Sequence, residues 1–488
     1  MFGNRMADER MNAPCTTWRA IMAVSIAMGG LAGAAVPAAA QVRTLNDALA
    51  LTYATNPALL AARAQLRAVD ENVPQALSGW RPQVTITANA GFIEGTSQQY
   101  VRPTTFTPGR TLESNSLRGS NTESLTVNQP LFRGGATRAN TNRAENQVMA
   151  QRATLIGSEQ TAFANAVNAY VGVIQSAQVL ALNINNEQVL RRQLQATQER
   201  FRVGEITRTD VAQAEAAYAG ATATRQTAEG DLQTARSAFL QVIGESAPDR
   251  LIEPQPLRLP VRSIDEVRAL AASNNPAVIA AMFNDSAARD NFDIQYARLM
   301  PNLSLQGSIS RNEDVQTKDL TSKVGQVLMV LSIPLYQGGG EYAAIRQARQ
   351  QQQQSRQLVD DARRQAIQQV TQAWNTYVAA KATIESTRQQ IRSNEIALEG
   401  VQREAIVGSR TTLDVLNEEQ RLLNSRVTLV RNLGSLINAS YAVASAAGRL
   451  TARDLNLNVP LYDETAYYKA VKNRLIGTGD YAIDQPGR

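Results

Sequence analysis

Two short motifs hold the most concentrated side-chain chemistry in this sequence. They are Val203-Gly204-Glu205-Ile206-Thr207-Arg208-Thr209-Asp210 and Val407-Gly408-Ser409-Arg410-Thr411-Thr412-Leu413-Asp414. In each, a glycine suited to the left-handed conformation that ends a helix is followed by Thr-x-x-Asp, which opens the next helix as a reciprocal capping box. Asp210 and Asp414 are therefore carboxylates at helix starts, placed to set the charge of a surface or a passage. Catalysis has little else to draw on. The chain has no histidine and one cysteine, Cys15, so the usual near-neutral acid–base group and the Cys/His zinc sets are missing. No metal and no cofactor is expected. A hydrolase or lyase using paired carboxylates is the remaining enzymatic reading, and no acid cluster beyond the capping aspartates supports it.

The two motifs belong to a larger duplication. Asn56-Pro57 and Arg81-Pro82 recur as Asn275-Pro276 and Met300-Pro301, 219 residues later. Pro130-Leu131-Phe132-Arg133-Gly134-Gly135 recurs as Pro334-Leu335-Tyr336-Gln337-Gly338-Gly339 at an offset of 204, the same offset that links the two Asp motifs. A period near 200 residues is too long for a solenoid repeat, which is typically about 20–50 residues, so it marks a duplicated domain. The 15 extra residues of the first copy fall between Pro82 and Pro130, where a longer loop is expected.

Proline placement separates the elements. Residues 131–247 and 335–459 contain none and are rich in the helix formers Ala, Gln, Leu, Arg and Glu. Each is broken by its glycine, Gly204 or Gly408, so each predicts a long helix followed by a shorter one. Gly135 to Phe201 as one helix would run roughly 100 Å. Shorter helices are predicted from Leu45 to Gly79 and from Ile264 to Leu299. Between short and long helices, Val84–Phe92 and Leu303–Ser310 alternate apolar and polar residues, the signature of a strand with one greasy face. Second strands are predicted near Glu123–Gln129 and Val324–Ile333, giving one hairpin per copy, at about 82–131 and 301–334. Ile86 and Leu305 should face outward, with Thr87 and Gln306 inward. Pro82, Pro130, Pro301 and Pro334 stop one periodicity and start the other. Gly134, Gly135, Gly338 and Gly339 let the chain swing into the long helix.

The organisation expected is a signal segment at 1–40, a first repeat at 41–244, a linker at 245–262, a second repeat at 263–448 and a tail at 449–488. Arg5, Arg10 and Arg19 precede an apolar run from Ile21 to Ala35 and the small residues Ala38-Ala39-Ala40, as in an export signal. No later segment is apolar enough for a spanning helix. The net charge of +6 comes from scattered arginines, so nucleic acid is not an expected partner. Four strands cannot close a membrane barrel, which satisfies its backbone only by closure. Several chains must share one, and three would supply twelve strands.

These paired motifs in this order resemble the TolC family of outer-membrane efflux proteins over nearly all of the chain after residue 40. The resemblance implies a mainly α protein with a membrane β-barrel part. It implies a homotrimer in which a 12-stranded barrel in outer-membrane lipid continues into a 12-helix tunnel across the periplasm. It also implies partners, namely a periplasmic adaptor (membrane-fusion) protein and an inner-membrane pump or ABC transporter, and an exported cargo of small molecules or proteins. By the same resemblance Asp414 lines the pore constriction, Asp210 and Arg410 form a closed-state link, and Gln193 joins that network. The sequence departs from the family at two places. Asn417 stands where a second constriction aspartate is usual, leaving Glu418 or Glu419 to substitute, and Ala405 stands where a tyrosine is usual. A structural coiled-coil protein of the periplasm is the rival reading; it explains the helices but not the alternating strands.

Overall fold

The computed structural model describes residues 42–258, 263–315, 319–479 and 481. The expected signal segment, the end of the linker with Pro260, and the end of the tail lie outside the described residues. The first copy runs α1 (Leu45–Thr55), α2 (Pro57–Asp70), α3 (Asn72–Leu77), β1 (Gln83–Val101), β2 (Arg110–Arg133), α4 (Ala136–Arg202) and α5 (Arg208–Ile243). The second runs α6 (Ile264–Asn274), α7 (Pro276–Ala297), β3 (Asn302–Glu313), β4 (Thr321–Ser332), α8 (Gly340–Ile406) and α9 (Thr412–Ala446), and a short α10 (Ala466–Val471) follows in the tail.

Length alone dictates how the helices are covered. α4 and α8 are 67 residues each, roughly 100 Å, whereas α5 and α9 have 36 and 35. The return helices therefore cover about half of each long helix, and the short helices α2 and α7 take over the other half. The handover is made by the two Asn-Pro pairs. Asn56 accepts from the amides of Ala58 and Leu59 at the start of α2, while its Nδ2 donates to the Val242 carbonyl at the end of α5, 3.0 Å away. Asn275 accepts from Ala277 N and donates to the Ala446 carbonyl of α9 at 3.1 Å. One amide side chain thus caps the end of one helix and the start of another. Proline follows at the first helical position, where its missing N–H is not needed.

At this level lies the main core. Leu49 and Leu59, Phe163 and Tyr170 of α4, Phe239 of α5 and Leu450 of the tail are almost wholly buried, each apolar side chain contributing roughly 1.5–3 kcal/mol. One stretch of α4 is apolar enough by composition to cross a membrane, with a mean hydropathy of 1.2, contrary to expectation. Its buried apolar members, including Val167, Tyr170 and Val171, face this core instead. The linker is pinned across the same core. Ile252 N donates to the Arg43 carbonyl, and the Tyr170 hydroxyl lies within 2.8 Å of both the Arg43 and Ile252 carbonyl oxygens.

The four strands form one antiparallel sheet in the order β1-β2-β3-β4, so β1 and β4 are its edges. The register aligns Ile86, Leu125 and Ile309 in one row, and Val84, Val127, Gly307 and Val327 in the next row on the same face. Leu303, Leu305, Met329 and Leu331 share that face. The opposite face carries Thr85, Thr87, Thr126, Ser308 and Gln306, although β4 adds Val324 and Leu328 to it. Two expectations are corrected. The extra residues of the first copy lengthen the strands, not the loop: the ladder continues from Gly91↔Ser120 to Val101↔Arg110, beyond the last β2–β3 pair, Asn121↔Glu313. That ribbon is roughly 35 Å long. Its Gly and Asn residues have weak strand preference, but the partner strand satisfies their backbone, and Arg118 ties the ribbon to the Asp314 and Val315 carbonyls. Second, Pro130 lies inside β2 and does not end it. The register shifts between Pro130 and Phe132, and a bulge is one of the few strand sites that tolerates proline. Pro82, Pro301 and Pro334 fall outside the strands, and Gly135 and Gly339 cap α4 and α8 in the left-handed conformation, with φ of 89° and 82°.

The two faces of the sheet should respond oppositely to charge. Ile86→Arg or Leu305→Arg is expected to cost roughly 2–4 kcal/mol if near the bilayer midplane, whereas Thr87→Arg and Gln306→Arg are expected to be tolerated. The yield of assembled protein in outer-membrane fractions measures this; equal losses at both sets would refute the assigned face.

Candidate functional site at the helical tips

The turns joining α4 to α5 and α8 to α9 lie at the ends of the long helices farthest from the sheet. Both close by the same hydrogen bonds. Gly204, at φ 79°, donates to the Phe201 carbonyl while Glu205 N reaches back to Arg200 O; Gly408, also at φ 79°, donates to Ala405 O while Ser409 N reaches Glu404 O. The next helix then starts with the expected box. Thr207 N donates to Asp210 Oδ2 at 3.0 Å and Asp210 N to Thr207 Oγ1 at 3.3 Å. Thr411 and Asp414 repeat this at 3.0 and 3.3 Å. In both boxes the threonine hydroxyl also donates to the carboxylate.

These bonds set the acidity of the two carboxyls. The Thr207 hydroxyl, then its amide, hold Asp210 below the usual aspartate range, and the Thr411 amide and hydroxyl do the same for Asp414. Both are therefore fixed negative charges at neutral pH, at positive helix N-termini.

The duplication breaks down in the charges that brace each turn. Arg200 pairs with Glu205 at 2.6 Å across the first turn, and Arg410 pairs with Glu404 at 2.9 Å across the second. Arg200 and Glu404 are equivalent positions of opposite sign. Within one chain Arg410 thus bonds Glu404 and not Asp210, while Asp210 is held by Thr207 with Arg200 nearby. Gln193 lies on α4 before the turn, its carbonyl accepting from the Thr197 hydroxyl. Asn417 is exposed on α9. Of its two acidic neighbours, Glu418 pairs with Arg421, and Glu419 turns toward α8, where Gln402 donates to it at 3.2 Å and burial raises its pKa. Glu419 is thereby committed to the helix–helix contact.

The Arg200–Glu205 and Glu404–Arg410 braces were not singled out from sequence. The signal was an acid and an arginine five or six residues apart across a helix-ending glycine. Apolar exposure at the tips was also not anticipated: Val203, Ile406 and Val407 are each close to four-fifths exposed.

Comparison with known proteins agrees with this architecture. The outer membrane efflux protein family matches residues 48–245 and 267–449. Outer membrane efflux protein BepC of Brucella suis is 36% identical over 443 residues, covering 90% of this chain and 92% of BepC. Outer membrane protein TolC of Escherichia coli is 24% identical, covering 87% of this chain and 86% of TolC. Among solved structures, VceC of Vibrio cholerae shares the fold at a TM-score of 0.69 and 21% identity, over 83% of this chain and 96% of VceC. CusC does so at 0.71 and 15%, over 83% and 93%.

Thr207→Ala should fray the first turn of α5. Loss of the cap costs typically about 1 kcal/mol, so amide exchange near Asp210 should quicken several-fold, and the Asp210 pKa should rise toward its ordinary value. Because the folded pKa is depressed, the stabilisation is fully present above the ordinary value near 3.8 and is lost as pH falls through the lower folded value. Exchange that is unchanged in the variant at neutral pH would show that the cap contributes nothing.

Proposed function

We propose, from the premise that this chain belongs to the outer membrane efflux protein family, that it works as a homotrimeric export conduit gated at its helical tips. The chain is an outer-membrane channel-tunnel for export, and the family is one of channel proteins. The observation that carries the trimer is the four-stranded sheet with an apolar face and two unpaired edges. In hydrocarbon each unsatisfied backbone group costs several kcal/mol. Pairing β4 of one copy with β1 of the next closes twelve strands around a threefold axis.

Threefold symmetry then repeats every tip charge three times. We assign Asp414 to the constriction, with Asn417 beside it as a neutral position and Glu418 as the nearer of the two candidate acids. The closed-state link between Asp210 and Arg410 runs between protomers in this reading, since within a chain Arg410 is bonded to Glu404; Gln193 belongs to the same contact. The exposed Val203, Ile406 and Val407 favour docking of a periplasmic adaptor at the tips, and an inner-membrane pump or ABC transporter supplies the energy. The chain itself conducts and turns nothing over.

The mass of the purified complex in detergent tests the assembly: a trimer is expected, and a monomer that keeps its native strand content would overturn the reading. The gate is tested in planar bilayers. Trimers carrying Arg410→Ala should conduct more than the wild type at rest, and adding Asp210→Ala should change little further, because one shared contact is lost only once. Glu404→Gln removes only the brace within the chain and should leave conductance unchanged. Asp414→Ala should lower cation preference and weaken block by polyvalent cations. An Arg410→Ala trimer no leakier than the wild type would reduce Arg410 to a partner of Glu404.

A further inference from the structure

We propose that Leu475 and Ile476, near the end of the described tail, enter the periplasmic leaflet of the outer membrane as a second lipid contact beside the sheet. The inference rests on the reading of the sheet as a membrane barrel. The tail's own contacts show where it goes. Ala452 N donates to Glu159 of α4, and farther along Lys472 Nζ meets Glu145 at 2.9 Å. This is an advance of roughly 21 Å along α4 toward its start beside β2. On the other flank, Tyr462 N donates to the Tyr53 hydroxyl of α1, the Tyr467 hydroxyl to Glu71 ahead of α3, and Arg81 to the Arg474 carbonyl at 2.9 Å. Both series climb toward the sheet, and the last bond joins the tail to the residue before Pro82, where β1 begins.

At that level the greasy face of the sheet starts. Phe132 lies in the row of Leu303 and Leu331, and Trp80, whose carbonyl accepts from Gln129, is half-exposed like Phe132. Aromatic side chains are favoured at such a boundary between lipid and water. Leu475 and Ile476 follow Arg474 directly and are 74% and 89% exposed, although Val471, four residues before Leu475, is buried. They are followed by Gly477, Thr478 and Gly479, which carry no charge to oppose entry into lipid. The preceding cations suit an anionic leaflet surface: Lys469 is exposed, and the Arg474 guanidinium lies over the Tyr481 ring at 3.7 Å. An apolar tip preceded by cations and followed, after Asp480, by a tyrosine suits a segment that lies at a membrane interface.

The test uses full-length trimers, in a Cys15→Ser background, reconstituted in phosphatidylethanolamine–phosphatidylglycerol vesicles. An environment-sensitive fluorophore is attached at Leu475→Cys, Ile476→Cys, Ile86→Cys or Asn458→Cys. Lipid-borne nitroxides should quench the probes at 475 and 476 to nearly the extent seen at 86 and several-fold more than at 458, with aqueous iodide giving the reverse order. If 86 is quenched from lipid while 475 and 476 behave like 458, this inference fails and the barrel reading stands. If 86 also behaves like 458, the barrel reading fails and takes the inference with it.

Discussion

A strand in hydrocarbon has no water to satisfy its edge, so every backbone N–H and C=O must find a partner in protein. The sheet satisfies this along three ladders and leaves it unmet at β1 and β4. Much of the rest of the architecture follows from that deficit. In the proposed homotrimer, closure around an axis sets each helical hairpin against its neighbours and brings the tips at their far ends together. The first hairpin outgrows the second by a ribbon in which Ser, Thr, Asn, Gln and Gly alternate with exposed Phe92, Tyr100 and Leu117.

Joining a sheet to helices of about 100 Å raises a second problem, since helices that stop partway expose uncapped ends. The molecule meets it twice with the same residue pair. Asn56 and Asn275 satisfy a carbonyl at the end of a return helix and amides at the start of a short one. α5 hands over to α2, and α9 to α7, along α4 and α8. Beside the second pair the backbones approach closely: a Cβ on Gly448 would lie 2.4 Å from the Asn274 carbonyl oxygen. The linker and tail cross the same level, which is why the largest core lies there.

At the tips the backbone is duplicated faithfully and the charges are not. Helix termination, glycine conformation and capping box coincide between the two turns. The arginine of one turn, however, is replaced by glutamate in the other, so each hairpin presents a different electrostatic face. In the proposed homotrimer such asymmetry would set unlike hairpins against one another, as the proposed closed-state link requires.

Much of this was legible in the sequence, because local chemistry decides it. The Asn-Pro pairs, the Gly-x-x-Thr-x-x-Asp boxes and the proline-free stretches act over a few residues of chain, and α4, α5, α8 and α9 begin and end within a residue or two of where those signals put them. The apolar alternation alone places Ile86 and Leu305 on one face and Thr87 and Gln306 on the other, as the register does. Tertiary structure decided what depends on a partner distant in sequence. The polar ribbon beyond Gly91 is a strand because Arg110–Ser120 lies opposite it. Pro130 stays in β2 because a bulge absorbs it. Glu419 turns to Gln402, and the tail to Arg81, because those atoms come within reach only after the helices pack. Periodicity reports which side of an element is apolar; a single hydrogen bond between residues hundreds of positions apart leaves no periodic trace.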